Sequence, residues 1–395
     1  DINSINDLEQ DTLLDAEVGA GADITQLFGR SLATGQLSFN YDGSTVVSDE
    51  YLAVGAPDSN STRGGVVIYR YRSDIWTAHQ YIAPVSAVVG DEFGKAVAIS
   101  QDARWLYIGA PGEDKVYAYG LDTKLTEQSV TVTGDGSTTV HALGFTPKSL
   151  TSIFVQDASG VIYRPTTDYT VSGSDITFAT APSVTVTVSE NFSYKYIATL
   201  TASGGDAGDQ FGASVWTSTD GTQTVIGAPS HDNAGEDSVI NSGASYVFDR
   251  TVEAFEGDGS TTAFTTIRSM DADVNKTTVN RVLQDQRKGA DAYWDYSVSG
   301  TTLTFNIAPS SGAIIKVDTN TFIQMQKMAE QTANTRGVGN SFGKAVLICP
   351  TDCSIYIGNP SDDPRELRNS GSVDRYVNQG RVYGSITSTK TSPTV

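Results

Sequence analysis

Two acidic pairs, Asp91-Glu92 and Glu113-Asp114, are the residues of this chain best suited by type to general acid–base work. A glycan-cleaving site needs two carboxylates about 5–10 Å apart. Both pairs fall in polar, glycine-bearing stretches, where charged side chains are ordinarily solvated loop residues. Asp91 precedes Phe93 by two residues, Asp209 precedes Phe211 by two, and Asn340 holds that place before Phe342. A short polar side chain recurring at one step before a Phe-Gly pair reads as a turn cap rather than a catalyst. The three histidines, His79, His141 and His231, are far apart in sequence, and two cysteines are too few for a four-ligand zinc site. Cys349 and Cys353 suit either a hairpin disulfide or two reduced side chains in neighbouring strands. No Gly-x-Ser-x-Gly nucleophile elbow is read in the chain, and there is no His-Glu-x-x-His and no phosphate-binding Gly-x-x-x-x-Gly-Lys-Ser/Thr. No catalytic residue and no metal ligand is therefore assigned. Aromatic side chains are the remaining candidates. Tyr163, Tyr169, Tyr293 and Trp294 could stack on the apolar face of a sugar ring, with core packing as the competing role.

The bulk numbers narrow the partners. The 395 residues hold 46 Asp and Glu against 26 Lys and Arg, a formal net charge of −20. Such a surface repels phosphate backbones and anionic lipid, which argues against nucleic acid as a partner. No apolar run approaches the ~18 residues of a membrane-spanning helix, so no membrane insertion is expected. A start at Asp1 rather than Met points to a processed product or a piece of something longer. Low charge with abundant Thr, Ser, Gly and Val suits turn-rich β-structure.

The elements that must position any site are written in a phrase that occurs four times. A Phe-Gly pair leads through a strand-like run to Gly-Ala-Pro or a near copy. The pairs are Phe28-Gly29, Phe93-Gly94, Phe211-Gly212 and Phe342-Gly343. The closing triplets run from Gly55 to Pro57, Gly109 to Pro111, Gly227 to Pro229 and Gly358 to Pro360. The two glycines are 15 residues apart in the last three copies and 26 apart in the first. In the second copy, Phe93–Ile99, Trp105–Gly109 and Lys115–Tyr119 read as three strands separated by turns. A fourth strand follows each of the first three units, at Trp76–Ile82, Tyr194–Leu200 and Phe322–Met328. Four short antiparallel strands per repeat is the pattern of a propeller blade, so an all-β propeller is expected. The Phe reads as a packing wedge, the Gly as a point of close approach, and the Pro as the end of strand pairing.

These phrases resemble FG-GAP repeats, the blades of integrin-α-type β-propellers. The resemblance implies a rigid ring, with four recognisable blades here against seven in integrin-like rings, so either the ring closes with few blades or further blades lie outside this chain. Many such blades carry an Asp-rich calcium loop between the halves of the phrase. The matching loops here, around Asp102, Asp220 and Asp352, hold one carboxylate each, too few for calcium's six to eight oxygens. The loops after the Pro are richer, with Asp58, Asp232, Glu236, Asp237, Asp362 and Asp363. Calcium is therefore not supported by the loops within the phrase, and no cofactor is assigned.

Two interruptions copy each other. Gly134-Asp135-Gly136-Ser137-Thr138-Thr139, Asp168-Tyr169 and Thr177-Phe178 in the first answer to Gly257–Thr262, Asp295-Tyr296 and Thr304-Phe305 in the second. Each enters after the third strand of a blade and reads as a small β-sandwich, with one helical stretch expected around Val279–Leu283. The division expected is a connecting segment at 1–25, blades at 26–127, modules at 128–190 and 253–319, blade regions at 191–252 and 320–395. The modules resemble β-domains of phage tail fibres and other virion proteins. That resemblance implies a non-enzymatic structural or attachment component of a phage tail, extracellular in the virion and homo-oligomeric. Its partners would be other tail proteins and a host-surface glycan or receptor. The competing readings are a tail-borne polysaccharide depolymerase and a bacterial surface adhesin.

Overall fold

In a computed structural model, residues 27–40, 46–58, 63–83, 88–123, 127–232, 242–271, 274–280, 282–283, 295–329, 341–360 and 372–377 are described. The first sheet contains β1 (Ser31–Asn40), β2 (Val46–Gly55), β3 (Val66–Arg72) and β4 (Ile75–Ile82) in chain order. The next begins with β5 (Ala96–Ile99), β6 (Trp105–Ala110) and β7 (Lys115–Asp122). Seven strands then intervene: β8 (Gln128–Val132), β9 (Val140–Ala142), β10 (Ile153–Asp157), β11 (Ile162–Tyr163), β12 (Tyr169–Ser172), β13 (Asp175–Phe178) and β14 (Val186–Glu190). The sheet of β5–β7 is completed by β15 (Ser193–Leu200), which pairs with β7. The third sheet has β16 (Ser214–Thr217), β17 (Gln223–Ala228) and β18 (Ala244–Glu256). After β19 (Ala263–Thr265), β20 (Thr277–Val279), β21 (Val282–Leu283), β22 (Tyr296–Ser299) and β23 (Thr302–Phe305), the long β24 (Ile314–Ala329) returns to pair with β18. The fourth sheet has β25 (Ala345–Ile348), β26 (Ile355–Asn359) and β27 (Ser372–Tyr376). Every pairing between named strands is antiparallel, and no α-helix occurs among the described residues, so the fold is all-β and propeller-like.

Packing explains why the second strands read as unbroken apolar runs. Trp105-Leu106-Tyr107-Ile108-Gly109-Ala110 is buried along its whole length because sheets cover both of its faces. Alternation divides it. Leu106 and Ile108 join Phe93, Ile99, Tyr51 and Ile68 in the core between the first two blades. Trp105 and Tyr107 join Phe211, Ile226 and Tyr246 in the core between the second and third. Val225, Val247, Phe342 and Ile357 make the third such core.

The interruptions occupy the connection between the third and fourth strands of two successive blades. In the first, β11-β10-β14-β8 faces β12-β13-β9 around Val155, Tyr169, Ile176, Phe178 and Val188. In the second, β18 and β24 run on past the blade and carry β20 on their extension, beside the sheet β19-β23-β22. Phe264, Tyr296, Phe305, Ile315 and Val317 fill that module's core. The two opening turns are superposable in their hydrogen bonds. Asp135 accepts from the Ser137 and Thr138 N–H groups, and Asp258 from those of Ser260 and Thr261. The helix expected at Val279–Leu283 is instead a hairpin, with Val279 opposite Val282. Asn280 turns it at φ +50°, a conformation Asn tolerates, and β-branched Val favours the extended backbone.

Each module is fastened to the blades. Phe154 and Ile162 of the first pack on Val54, Tyr69 and Tyr81 of the first blade. Gln80 on β4 donates to the Thr151 carbonyl of the module at 3.3 Å, while His79 bonds the Phe192 carbonyl at 2.6 Å where the chain re-enters the second blade. At the root of the second module, Arg250 and Asp318 form an ion pair at 2.5 Å, with side chains only 1% and 3% exposed. The Arg250 guanidinium stacks 3.8 Å over the Trp105 ring of the neighbouring blade. Burial pushes the Asp318 carboxyl up, and Arg250 opposes that shift.

Candidate functional site

The repeated phrase builds the junctions between blades. The residue before each Phe has positive φ, 58° at Leu27, 54° at Glu92, 59° at Gln210 and 61° at Ser341. The following glycines stand at φ 86°, 91°, 97° and 91°. That tight turn aims each glycine's N–H back at its own blade. Gly29, Gly94, Gly212 and Gly343 donate to the carbonyls of Gly55, Gly109, Gly227 and Gly358 at 3.0–3.1 Å. It also aims each carbonyl at the preceding blade. A Cβ on Gly55 would lie 2.1 Å from the Gly94 oxygen, one on Gly109 2.0 Å from that of Gly212, and one on Gly227 1.9 Å from that of Gly343. Only glycine permits that approach. At Gly358 the nearest atom among the described residues is the Ala345 Cβ, 3.4 Å away, so no described blade fills this seat.

The aromatic wedges follow the same gradient. Phe93, Phe211 and Phe342 are fully buried, whereas Phe28, at the first blade's outer face, is half-buried. Phe28, Phe93 and Phe211 meet Tyr69, Tyr117 and Tyr246 of their own third strands edge to face. The Phe93 and Phe342 N–H groups donate to the carbonyls of Arg63 and Ser242 in the preceding blade. The Phe211 N–H uses the Asp114 carboxylate instead, at 3.0 Å. Pro57, Pro111 and Pro229 are buried where the second strands end, and Pro360 is exposed.

The single carboxylates between the halves of the phrase serve their own turns. Asp102, Asp220 and Asp352 accept from the N–H two residues on, at Arg104, Thr222 and Ser354. Burial raises the Asp102 carboxyl, but Lys276 and Arg104 outweigh it and hold the group below its usual range. Among the described residues no cluster of three or more His, Cys, Asp or Glu is arranged to hold a metal. Of the richer loops, Asp58 and Asp232 are described; Glu236, Asp237, Asp362 and Asp363 lie outside the described residues. Cys349 and Cys353 are free thiols flanking the β25–β26 turn.

The acidic pairs regroup across the fold. Asp91 meets Glu113, and burial together with that second carboxyl pushes the Asp91 carboxyl up. Tyr117 and Lys115 also bond Glu113, and Asp91 is 5% exposed, so the pair is packed inside the junction. In the next blade the same two positions hold Asp209 and His231, paired at 2.5 Å and equally buried. The stretch Gly339-Asn340-Ser341-Phe342-Gly343 has the Gly-x-Ser-x-Gly spacing of a nucleophile turn, which sequence reading passed over. Its strained serine shares its backbone with Leu27, Glu92 and Gln210, so the geometry belongs to the repeat.

The aromatic candidates divide. Tyr169 is 1% exposed and its hydroxyl donates to the Ile153 carbonyl, so it packs a core and offers no face to a sugar. Tyr163 is half-buried against Phe178. Tyr293 and Trp294 lie outside the described residues. An aromatic that sequence reading missed stands elsewhere. The first strands of the four blades surround a central cleft of about 440 Å³. Trp216 on β16 opens onto it, 43% exposed, between buried Val215 and Thr217. Leu32, Thr34, Gln101, Thr219 and Pro350 also line it, and no charged side chain does among the described residues. Comparing copies of the phrase supplies the missed signal, because Trp216 replaces the small Ala98 four residues after the phrase's first glycine.

Comparison with known proteins agrees with this geometry. The family described as FG-GAP repeat matches residues 194–248. The matched segment starts on β15, the outer strand of the second blade, and ends on β18, so the sequence repeat straddles two sheets. No curated protein matches the chain.

Proposed function

We propose that this chain is a non-enzymatic structural and attachment component of a phage virion, in the tail or tail-fibre apparatus. The propeller-like body acts as a hub, and the two β-modules contact neighbouring tail proteins or a host-surface glycan or receptor. The observation that carries the reading is that two modules of one type leave successive blades at the same strand connection. A rim connection tolerates insertion, because its strands stay paired whatever is spliced between them. Both modules are also bolted to the blades, through Phe154, Ile162 and the Thr151 carbonyl for the first and Arg250 and Asp318 for the second. Such fastening suits a part that transmits position rather than one that turns over substrate. The net charge of −20 supports protein or neutral glycan partners over nucleic acid or anionic membrane. The assembly is homo-oligomeric in this reading, carries no cofactor, and is extracellular in the virion. Mass spectrometry of gradient-purified particles is the test. Recovery of tryptic peptides in fixed ratio to known tail proteins is expected; their absence from particles, with presence in the lysate, overturns the reading.

A further inference from the structure

We infer that the central cleft is a binding site for a neutral oligosaccharide, with Trp216 as its stacking platform. The inference goes beyond the attachment reading, which places contacts on the modules, by giving the hub a ligand of its own. It is tested on purified protein, so its failure and that of virion membership are distinguishable. A volume of about 440 Å³ is within the range of small-ligand sites. The lining combines one exposed indole and the apolar Leu32 and Pro350 with the hydroxyls of Thr34 and Thr219 and the Gln101 amide. A sugar ring has the same two-sided chemistry, with C–H groups on its faces and hydroxyls at its edge. The indole face takes the former, as aromatic platforms do. The amide and hydroxyls supply donors and acceptors to the latter.

The alternatives fit less well. A phosphate, sulfate or carboxylate ligand would enter a lining without a cation, in a chain of net charge −20. A hydrocarbon would bury Gln101 and the two threonines without partners. The position of the indole is itself informative. Val215 and Thr217 on either side are buried, Thr217 at the cleft's edge, while Trp216 is exposed on the same strand. A large aromatic held outward over a concave, charge-free surface is the arrangement that sugar stacking requires.

The experiment titrates the full chain with neutral oligosaccharides, maltohexaose and chitotetraose among them, and with sialyllactose as the anionic counterpart. The readout is the indole N–H resonance of Trp216, assigned by its loss in Trp216→Phe. Expected is a saturable shift of that resonance by at least one neutral sugar, with an affinity near the millimolar range. Trp216→Ala should weaken binding about tenfold or more while the melting temperature holds. Trp216→Phe, which keeps a ring, should lose less, and it serves as the test if the alanine variant does not fold. No shift with any neutral sugar, binding confined to sialyllactose, or unchanged affinity in both variants overturns the inference.

Discussion

Replacing Gly227 with Ala isolates the contact that joins one blade to the next. Gly227 does not have positive φ, so alanine meets no backbone penalty there. What it meets is the Ser214 Oγ of its own blade, 2.4 Å away, which can rotate, and the Gly343 carbonyl oxygen, 1.9 Å from the new Cβ, about 1.5 Å short of the 3.4 Å at which ordinary contact begins. The Cβ is fixed by the backbone and the Gly343 oxygen is backbone, so no rotamer change relieves that clash and the blades must part. Overpacking of this kind costs about 1–3 kcal/mol, and weakening the Gly212 N–H to Gly227 carbonyl bond adds about 1 kcal/mol. A total near 3 kcal/mol lowers the midpoint by about 6–12 °C if the cooperative unit is about 150–250 residues. Gly358→Ala is the control, since its nearest atom lies 3.4 Å away and its seat faces no further blade among the described residues. Thermal melts followed by tryptophan fluorescence give the midpoint, with Trp105 reporting from the neighbouring junction between the second and third blades. A Gly227→Ala midpoint equal to that of the parent, or equal to that of Gly358→Ala, would falsify the seating argument.

Three further outcomes follow from the same structure. Burial pushes the His79 imidazole from 6.5 down to about 3. Between those values the unfolded chain binds a proton that the native state refuses, so stability falls as pH drops, by about 1.4 kcal/mol per unit; His79→Gln should flatten that slope in melts taken between pH 6.5 and 4.5. Asp318→Asn strands the buried Arg250 charge and should cost about 3–5 kcal/mol in urea denaturation, whereas the paired change Arg250→Met with Asp318→Leu should recover most of it. Asp102, Asp220 and Asp352 already serve their own turns. Treatment with EDTA should therefore leave the melting temperature unchanged, and a calcium-dependent rise would contradict that account.

Much of the blade was legible because its information is local. Strand alternation and turn residues placed Trp105–Gly109 within one residue of the observed β6, and Trp76–Ile82 within one of β4. The role of the repeated glycines was legible only by kind. Sequence shows that Gly109 recurs, but its partner is the carbonyl of Gly212, about a hundred residues on and in another sheet. The stretch around Val279 looked helical because its apolar spacing fits both periods, and the turn at Asn280 decides between them. Tyr169 was a reasonable sugar contact by type, and only the packing of two sheets shows that it is enclosed. The pairing of Asp91 with Glu113 joins two separate loops and the cleft beside Trp216 joins separate strands, so no spacing along the chain announces either.

The central claim, a propeller hub that holds two modules toward partners in a virion, is tested most directly by imaging purified particles at a resolution that distinguishes β-sheets. The account predicts density in the tail for the four sheets with both modules fixed at adjacent blades, at least one of them touching a neighbouring tail protein or exposed at the host-facing surface. Particles whose tails show no such density, or in which both modules are free of neighbours and hidden from the host, would contradict it.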